Sequence, residues 1–202
     1  MGHGFVRSPD GTITSFDPLG SVFTNGDTLG IDPAGAISGG YSDSNGVNHG
    51  FVRSPDGAIT TFDAPGGGTG QGQGTGPSMI SPKGTIPGIT IDANNVFHGF
   101  LRSSDGTFAT FDVSGAGTGP FQGTLAIATN LAGITTGDFI DANNVQHGFV
   151  RIPGGKIFFF DAPDAGTGAG EGTVPLSINL AGAVTGLYID ANGVPHGFLR
   201  FP

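Results

Sequence analysis

The chain has five histidines, and every one opens the same short motif. His3, His49, His98, His147 and His196 each begin "HGF", followed by Val or Leu and then Arg. The first spacing is 46 residues and the other three are 49. A period of this length marks a supersecondary unit repeated in a stack or a ring, which confines the chain to folds built that way. The shorter first period arises between Asp17 and Gly35, in a glycine-rich connector where deletions are tolerated.

Turn chemistry subdivides the unit. One signal is Asn-x-x-Gly, as at 179–182; the second is "DANG" at 190–193, with "DANN" at 92–95 and 141–144; the third is "SPDG" at 54–57, with "SSDG" at 103–106. Each places Pro, Ala or Ser early and Gly or Asn last. That is the pattern of a type I turn closed by a left-handed residue, a common hairpin connection. Short runs rich in Ile, Val, Phe and Thr lie between the turns and suit strands. No stretch shows helical periodicity over more than two turns.

The expectation is an all-β chain of four-stranded antiparallel meanders, A-B-C-D. Examples are A near 175–179, B at 183–190, C at 195–200 and D at 58–65. A tandem of such meanders is the sequence form of β-propeller-like blades, here about five, closed or joined to neighbouring chains. Residues 1–202 read as a single repeat domain. A C–D hairpin at 3–18 precedes units at about 19–65, 66–114 and 115–163, and an A-B-C unit at 164–202 follows.

The "HGF[VL]R" strand, the "INLAGAVTG" segment at 178–186 and the "FID" and "YID" hairpins resemble the HAF-type extracellular repeats of bacteria. "HGF" stands here for the more usual "HAF". The resemblance covers essentially the whole chain. It implies propeller-like sheets and an exported protein, extracellular or at the cell surface, and it implies no shared catalytic motif.

Charge narrows the partners. The net charge is −9, and of the seven basic residues five are the repeated Arg7, Arg53, Arg102, Arg151 and Arg200. Lys83 and Lys156 form no patch, so nucleic acid is not an expected partner; phosphate binding needs clustered positive charge. No apolar run approaches the length of a membrane helix, so no membrane insertion is expected, and no charged-then-apolar leader follows Met1. Cysteine is absent, which removes thiolate catalysis and Cys-type zinc sites. Glycine, at 40 residues, is about three times its usual share but has no triplet period, which excludes collagen.

Register follows from counting outward from a three-residue C–D loop. Arg53 then pairs with Ile59, Phe51 with Thr61, and His49 faces Asp63. The same count sets His3 against Asp17, His98 against Asp112 and His147 against Asp161, while no such Asp follows His196. Across the B–C hairpin His49 faces Tyr41, His147 faces Phe139, His196 faces Tyr188 and His98 faces Thr90. Opposed residues in a pleated pair are close enough to bond. The expectation is a structural His–Asp clasp in each unit. A catalytic dyad or a metal ligand is the alternative, but no Ser or Cys nucleophile accompanies the pair, and one His with one Asp is too few for a closed zinc site. No catalytic residue, metal or cofactor is assigned. The repeated arginines are expected to lay their stems over the sheet with their heads at its rim; carboxylate- or sugar-binding forks are the alternative.

Other chemistry has thinner support. Asp-x-Asn-Gly hairpins such as 43–46 invite calcium, but the EF-hand spacing is missing and turn Asp usually bonds its own backbone. Glycoside hydrolysis needs two flanking carboxylates, and no spacing pairs Asp27, Asp138 and Asp164, which stand outside the repeat pattern. The glycine-rich connectors lack a Walker lysine. As the longest loops they form the expected ligand face, with Gln71, Gln73, Phe121, Gln122 and Glu171 as contacts.

The chain opens on strands C and D and closes on A, B and C. It could close as five blades with one strand displaced, be a slice of a larger ring, or join copies head to tail through an edge carrying His196, Phe198 and Arg200. The expected function is a non-enzymatic exported structural or interaction module whose partner is itself. Alternatives are a multivalent lectin-like propeller that binds extracellular glycan and, after it, a polysaccharide-active enzyme.

Overall fold

The computed structural model describes residues 2–202, without the side chains of residues 26–28. Seventeen strands and no helix are present among them. The A strands are β3 (Phe23–Ile31), β7 (Gly74–Pro77), β11 (Gly123–Thr129) and β15 (Gly172–Ile178). The B strands are β4 (Ile37–Ser42), β8 (Ile86–Ile91), β12 (Thr135–Ile140) and β16 (Val184–Ile189). The C strands are β1 (Gly4–Arg7), β5 (Asn48–Arg53), β9 (Phe97–Arg102), β13 (Gln146–Arg151) and β17 (Pro195–Arg200). The D strands are β2 (Ile13–Phe16), β6 (Ile59–Phe62), β10 (Phe108–Phe111) and β14 (Ile157–Phe160). Neighbours within a unit are antiparallel, and Arg53 pairs with Ile59 and Phe51 with Thr61. The chain is an all-β tandem array.

The A strands start earlier than turn chemistry suggests: β15 begins at Gly172 rather than near Pro175. A parallel bridge is the cause. Gly74, Gly123 and Gly172 pair with Asn48, Phe97 and Gln146 of the preceding C strand. Their φ values are 107°, 121° and 119°. A Cβ there would run into the carbonyl oxygen of Asn48, Phe97 or Gln146. Glycine alone supplies both the conformation and the close approach. Each interior C strand thereby divides one edge, giving its later residues to D and its first to the next A.

The units are therefore not separate four-stranded sheets. One fifteen-stranded sheet runs from β17 to β3, with β6, β10 and β14 as side branches, and β1–β2 forms a sheet of its own. The hydrogen-bonded path is open at both ends.

Packing between units rests on rings that cover glycines. On one face, Phe51, Phe100 and Phe198 oppose Gly39, Gly88 and Gly186 of the B strand. On the other face, Phe16, Phe62, Phe111 and Phe160 of the D strands oppose Gly4, Gly50, Gly99 and Gly148. A Cβ on Gly4, Gly99 or Gly148 would come within 2.7, 3.0 or 2.9 Å of the ring opposite. Each D-strand ring then meets the next unit. Arg53, Arg102, Arg151 and Arg200 lie over Phe16, Phe62, Phe111 and Phe160, at 4.7–5.1 Å from the ring centroids. Phe16 and Phe51, Phe111 and Phe149, and Phe160 and Phe198 meet edge to face. Phe51, Phe100 and Phe149 are fully buried. Each such burial contributes about 1.5–3 kcal/mol, and each cation–ring contact about 0.5–2 kcal/mol.

Gly197 differs from its sisters: a Cβ there would meet nothing within 4 Å, because no D strand pairs with β17 among the described residues. Gly50→Ala, which would collide with the pinned Phe62 ring, is expected to cost about 1–3 kcal/mol. Gly197→Ala is expected to stay within about 0.5 kcal/mol of the parent. Urea unfolding of the two variants checks this; equal losses would contradict the ring-on-glycine account.

Candidate functional site

The repeated histidine lies just beyond the last C–D backbone pair, Gly50 with Phe62 in the first full unit. Its Nδ1 is 2.7 Å from Asp63 Oδ1. In the other units His3 is 2.7 Å from Asp17, His98 is 3.0 Å from Asp112, and His147 is 3.0 Å from Asp161. A second carboxylate, from the B–C turn, faces Nε2. Asp43, Asp92 and Asp141 stand 3.7, 3.7 and 3.8 Å from their histidines, and Asp190 stands 3.1 Å from His196. The terminal histidine, with no Asp after it, is thus still paired. The signal was available in strand alternation, since Tyr41, Asp43 and His49 share a face.

The turn carboxylates are held first by their own backbone. Oδ1 of Asp43 accepts the N–H groups of Asn45 and Val47 at 2.9 Å each, and Asp190 accepts those of Asn192 and Val194 at 2.8 and 2.9 Å. These bonds hold the Asp43 carboxyl below its usual range; for Asp190 the same bonds, with His196, push it down to about 2. With both lone-pair directions of Oδ1 committed, the hairpins are self-satisfied turns. Among the described residues no group of three or more His, Asp or Glu side chains is arranged to hold a metal ion.

An aromatic ring covers the imidazole in three units. Tyr41 stacks on His49, Phe139 on His147 and Tyr188 on His196, at 5.0, 4.9 and 5.0 Å between centroids. Thr90 opposes His98 instead. The FD end of each unit is tied to the next A strand: Thr75, Thr124 and Thr173 accept the N–H of Ala64, Val113 and Ala162 at 2.9 Å. Pro18 has no N–H, and Thr24 donates to the Asp17 carboxylate at 2.7 Å instead.

The connector candidates divide into bonded and exposed residues. Gln73 and Gln122 are occupied internally. Each accepts a connector N–H, from Gly70 or Gly119, and donates to Asn95 or Asn144 of the next B–C turn. Glu171 accepts from Gly168 at 2.7 Å, and Gly193 stands where the two preceding turns have Asn95 and Asn144. A Gln–Asn bond is thus replaced by a Glu–Gly pair that needs none. Gln71 and Phe121 are exposed; Phe121 adopts φ 63°, where the sister connectors have Gly72 and Gly170. The arginine heads lie over the preceding unit's ring and reach the C–D turn, where Arg53 and Arg102 donate to the carbonyls of Ser54 and Ser103 at 3.4 Å. Phe198 and Arg200 likewise turn back onto Phe160, so the outer face of β17 carries Pro195 and Leu199 on either side of the bare Gly197.

Of the three carboxylates outside the repeat pattern, Asp27 lies outside the described side chains and Asp164 is exposed on a connector. Asp138 is 2% exposed, opposite Gly148 on β12, with Gln146 donating to it at 3.3 Å. Burial pushes its carboxyl up to about 7.

No protein-family model matches the chain, and no curated protein matches it. No helix among the described residues is long and apolar enough to cross a membrane.

Because the folded Asp138 carboxyl titrates above its unfolded value, folding loses stability as pH rises from about 4 to about 7 and then levels off. Asp138→Asn is expected to gain about 2–4 kcal/mol at pH 8 and little at pH 4, read from urea unfolding at both pH values. Asp190 works in the opposite sense: its contribution is present above about pH 4 and is lost as pH falls toward about 2. His147→Ala, which removes a stacked ring and a charge-assisted contact, is expected to cost about 1–3 kcal/mol by the same measurement.

Proposed function

We propose that the chain is a non-enzymatic structural or interaction module of propeller-like blades that joins copies of itself head to tail. Its resemblance to HAF-type repeats supports a location outside the cell. One observation carries the reading: β1 and β17 present the same "HGF[VL]R" strand, and only β1 has a D strand against it. β2 holds β1 in a two-stranded sheet of four residue pairs. β17 offers β2 the same register together with its own A and B strands, and so a complete blade. Phe16 would then cover Gly197 as it now covers Gly4, and Asp17 would meet His196 as it now meets His3. A two-stranded hairpin is marginal alone, and an unpaired strand edge is a template for pairing. The contact is heterologous, so it propagates unless it closes.

The chain lacks cysteine, which makes cross-linking clean. Exchange of β1 for β17 sets Leu199 opposite Thr14, where Val6 now sits. Thr14→Cys with Leu199→Cys is expected to give disulfide-linked dimers and higher multimers on oxidation. Val6→Cys with Thr14→Cys, which locks the hairpin, is expected to leave monomers in light scattering. A cross-link confined to single chains would mean ring closure and overturn head-to-tail joining. Monomers without any cross-link would overturn the assembly reading itself.

A further inference from the structure

The second full unit is missing a ring that its sisters possess. In them Tyr41, Phe139 and Tyr188 lie on the imidazole at interplanar angles of 27°, 26° and 22°. At the same register His98 faces Thr90, and a cavity of about 420 Å³ opens there. Gly66, Thr90, Asp92, His98, Thr110 and Asp112 line it. The sister position shows what that space accommodates. The Phe139 ring comes within 3.6 Å of where a Cβ on Gly115 would stand, whereas the equivalent Gly66 has nothing within 4 Å.

A second observation points the same way. Thr90 is fully buried, and its Oγ1 has no hydrogen-bond partner among the described residues. An unsatisfied buried hydroxyl costs about 1–3 kcal/mol, which marks Thr90 as a residue out of keeping with this place in the repeat. Both ring nitrogens of His98 already face carboxylates, Asp112 at 3.0 Å and Asp92 at 3.7 Å. The imidazole therefore offers its face rather than its edge. The hydroxyl of Tyr41, the sister ring, lies toward Thr61, and the residue at that place here is Thr110.

We propose that this cavity is a binding site for a phenolic ring, carried by a small phenol or by a tyrosyl side chain. The ring stacks on His98 as Tyr41 does on His49, with its hydroxyl toward Thr110 and the opposite end of the ring toward Thr90. The two carboxylates select against an anionic ring. The cavity falls in the size range of ordinary small-ligand pockets, about 300–1,000 Å³. The site is independent of chain-to-chain joining.

The test is an NMR titration that follows the histidine ring protons. p-Cresol is expected to shift His98 upfield, saturably and in the millimolar range, while the other histidines stay put. Toluene and 4-hydroxybenzoate are each expected to bind about tenfold more weakly, through loss of the hydroxyl and through charge repulsion. Thr90→Tyr, which supplies the ring from within, is expected to abolish the shift and raise the melting temperature. Should that variant fail to fold, the parent titrations still decide. A matching response to N-acetyltyrosinamide identifies the tyrosyl source, and a response to p-cresol alone identifies a free phenol. No saturable shift of His98 with either probe, or an equal response to toluene or to a methyl glucoside, would sink the proposal.

Discussion

A phenylalanine ring lying flat on a glycine of the neighbouring strand is the contact on which this architecture depends. The glycine gives up a side chain, and the partner's ring occupies the space left open. Gly50 under Phe62 and Gly39 under Phe51 repeat this on opposite faces of one sheet. The rings sit low enough for the next unit's arginine to lie across them, as Arg102 does over Phe62. The Nε atoms of Arg53, Arg102 and Arg151 are buried with no hydrogen-bond partner among the described residues, so the ring face is what compensates them. Larger residues at these glycines would lift the rings and separate the units. The high glycine content therefore reflects sheet packing as well as loops.

Contacts between residues close in sequence were legible from turn chemistry. A three-residue loop and strict strand alternation were enough to place His49 against Asp63 and Tyr41, because register propagates from the turn. Contacts between units were not legible. In a chain of near-identical repeats, a residue has the same spacing to its counterpart whether the units stack, ring or separate. Arg53 on Phe16 leaves no local trace for that reason. The parallel bridge at Gly74 was hidden because one glycine in a glycine-rich connector looks like any other. Gln73 and Gln122 looked like free loop residues because their partners, Asn95 and Asn144, lie in the following unit.

Departures from the repeat work as substitutions made within one molecule. Pro18 removes a backbone donor, and Thr24 turns to Asp17. Glu171 cannot donate, and Gly193 asks for no donor. Asp138 places a carboxyl at a position where the sister units have Gly40, Ile89 and Leu187. Where a departure is matched by a second change, the local structure is conserved. Thr90 has no such match, and a cavity results.

The divided edge of each interior C strand has a bearing on descent. Each of the three junctions within the fifteen-stranded sheet uses one glycine bridge, one ring and one guanidinium, all contributed by fixed places in the period. Duplicating or deleting a single period leaves each remaining junction with both of its halves. A gene coding for such a chain can lengthen or shorten by unequal recombination without creating a mismatched joint, so chains of different length can share every local contact.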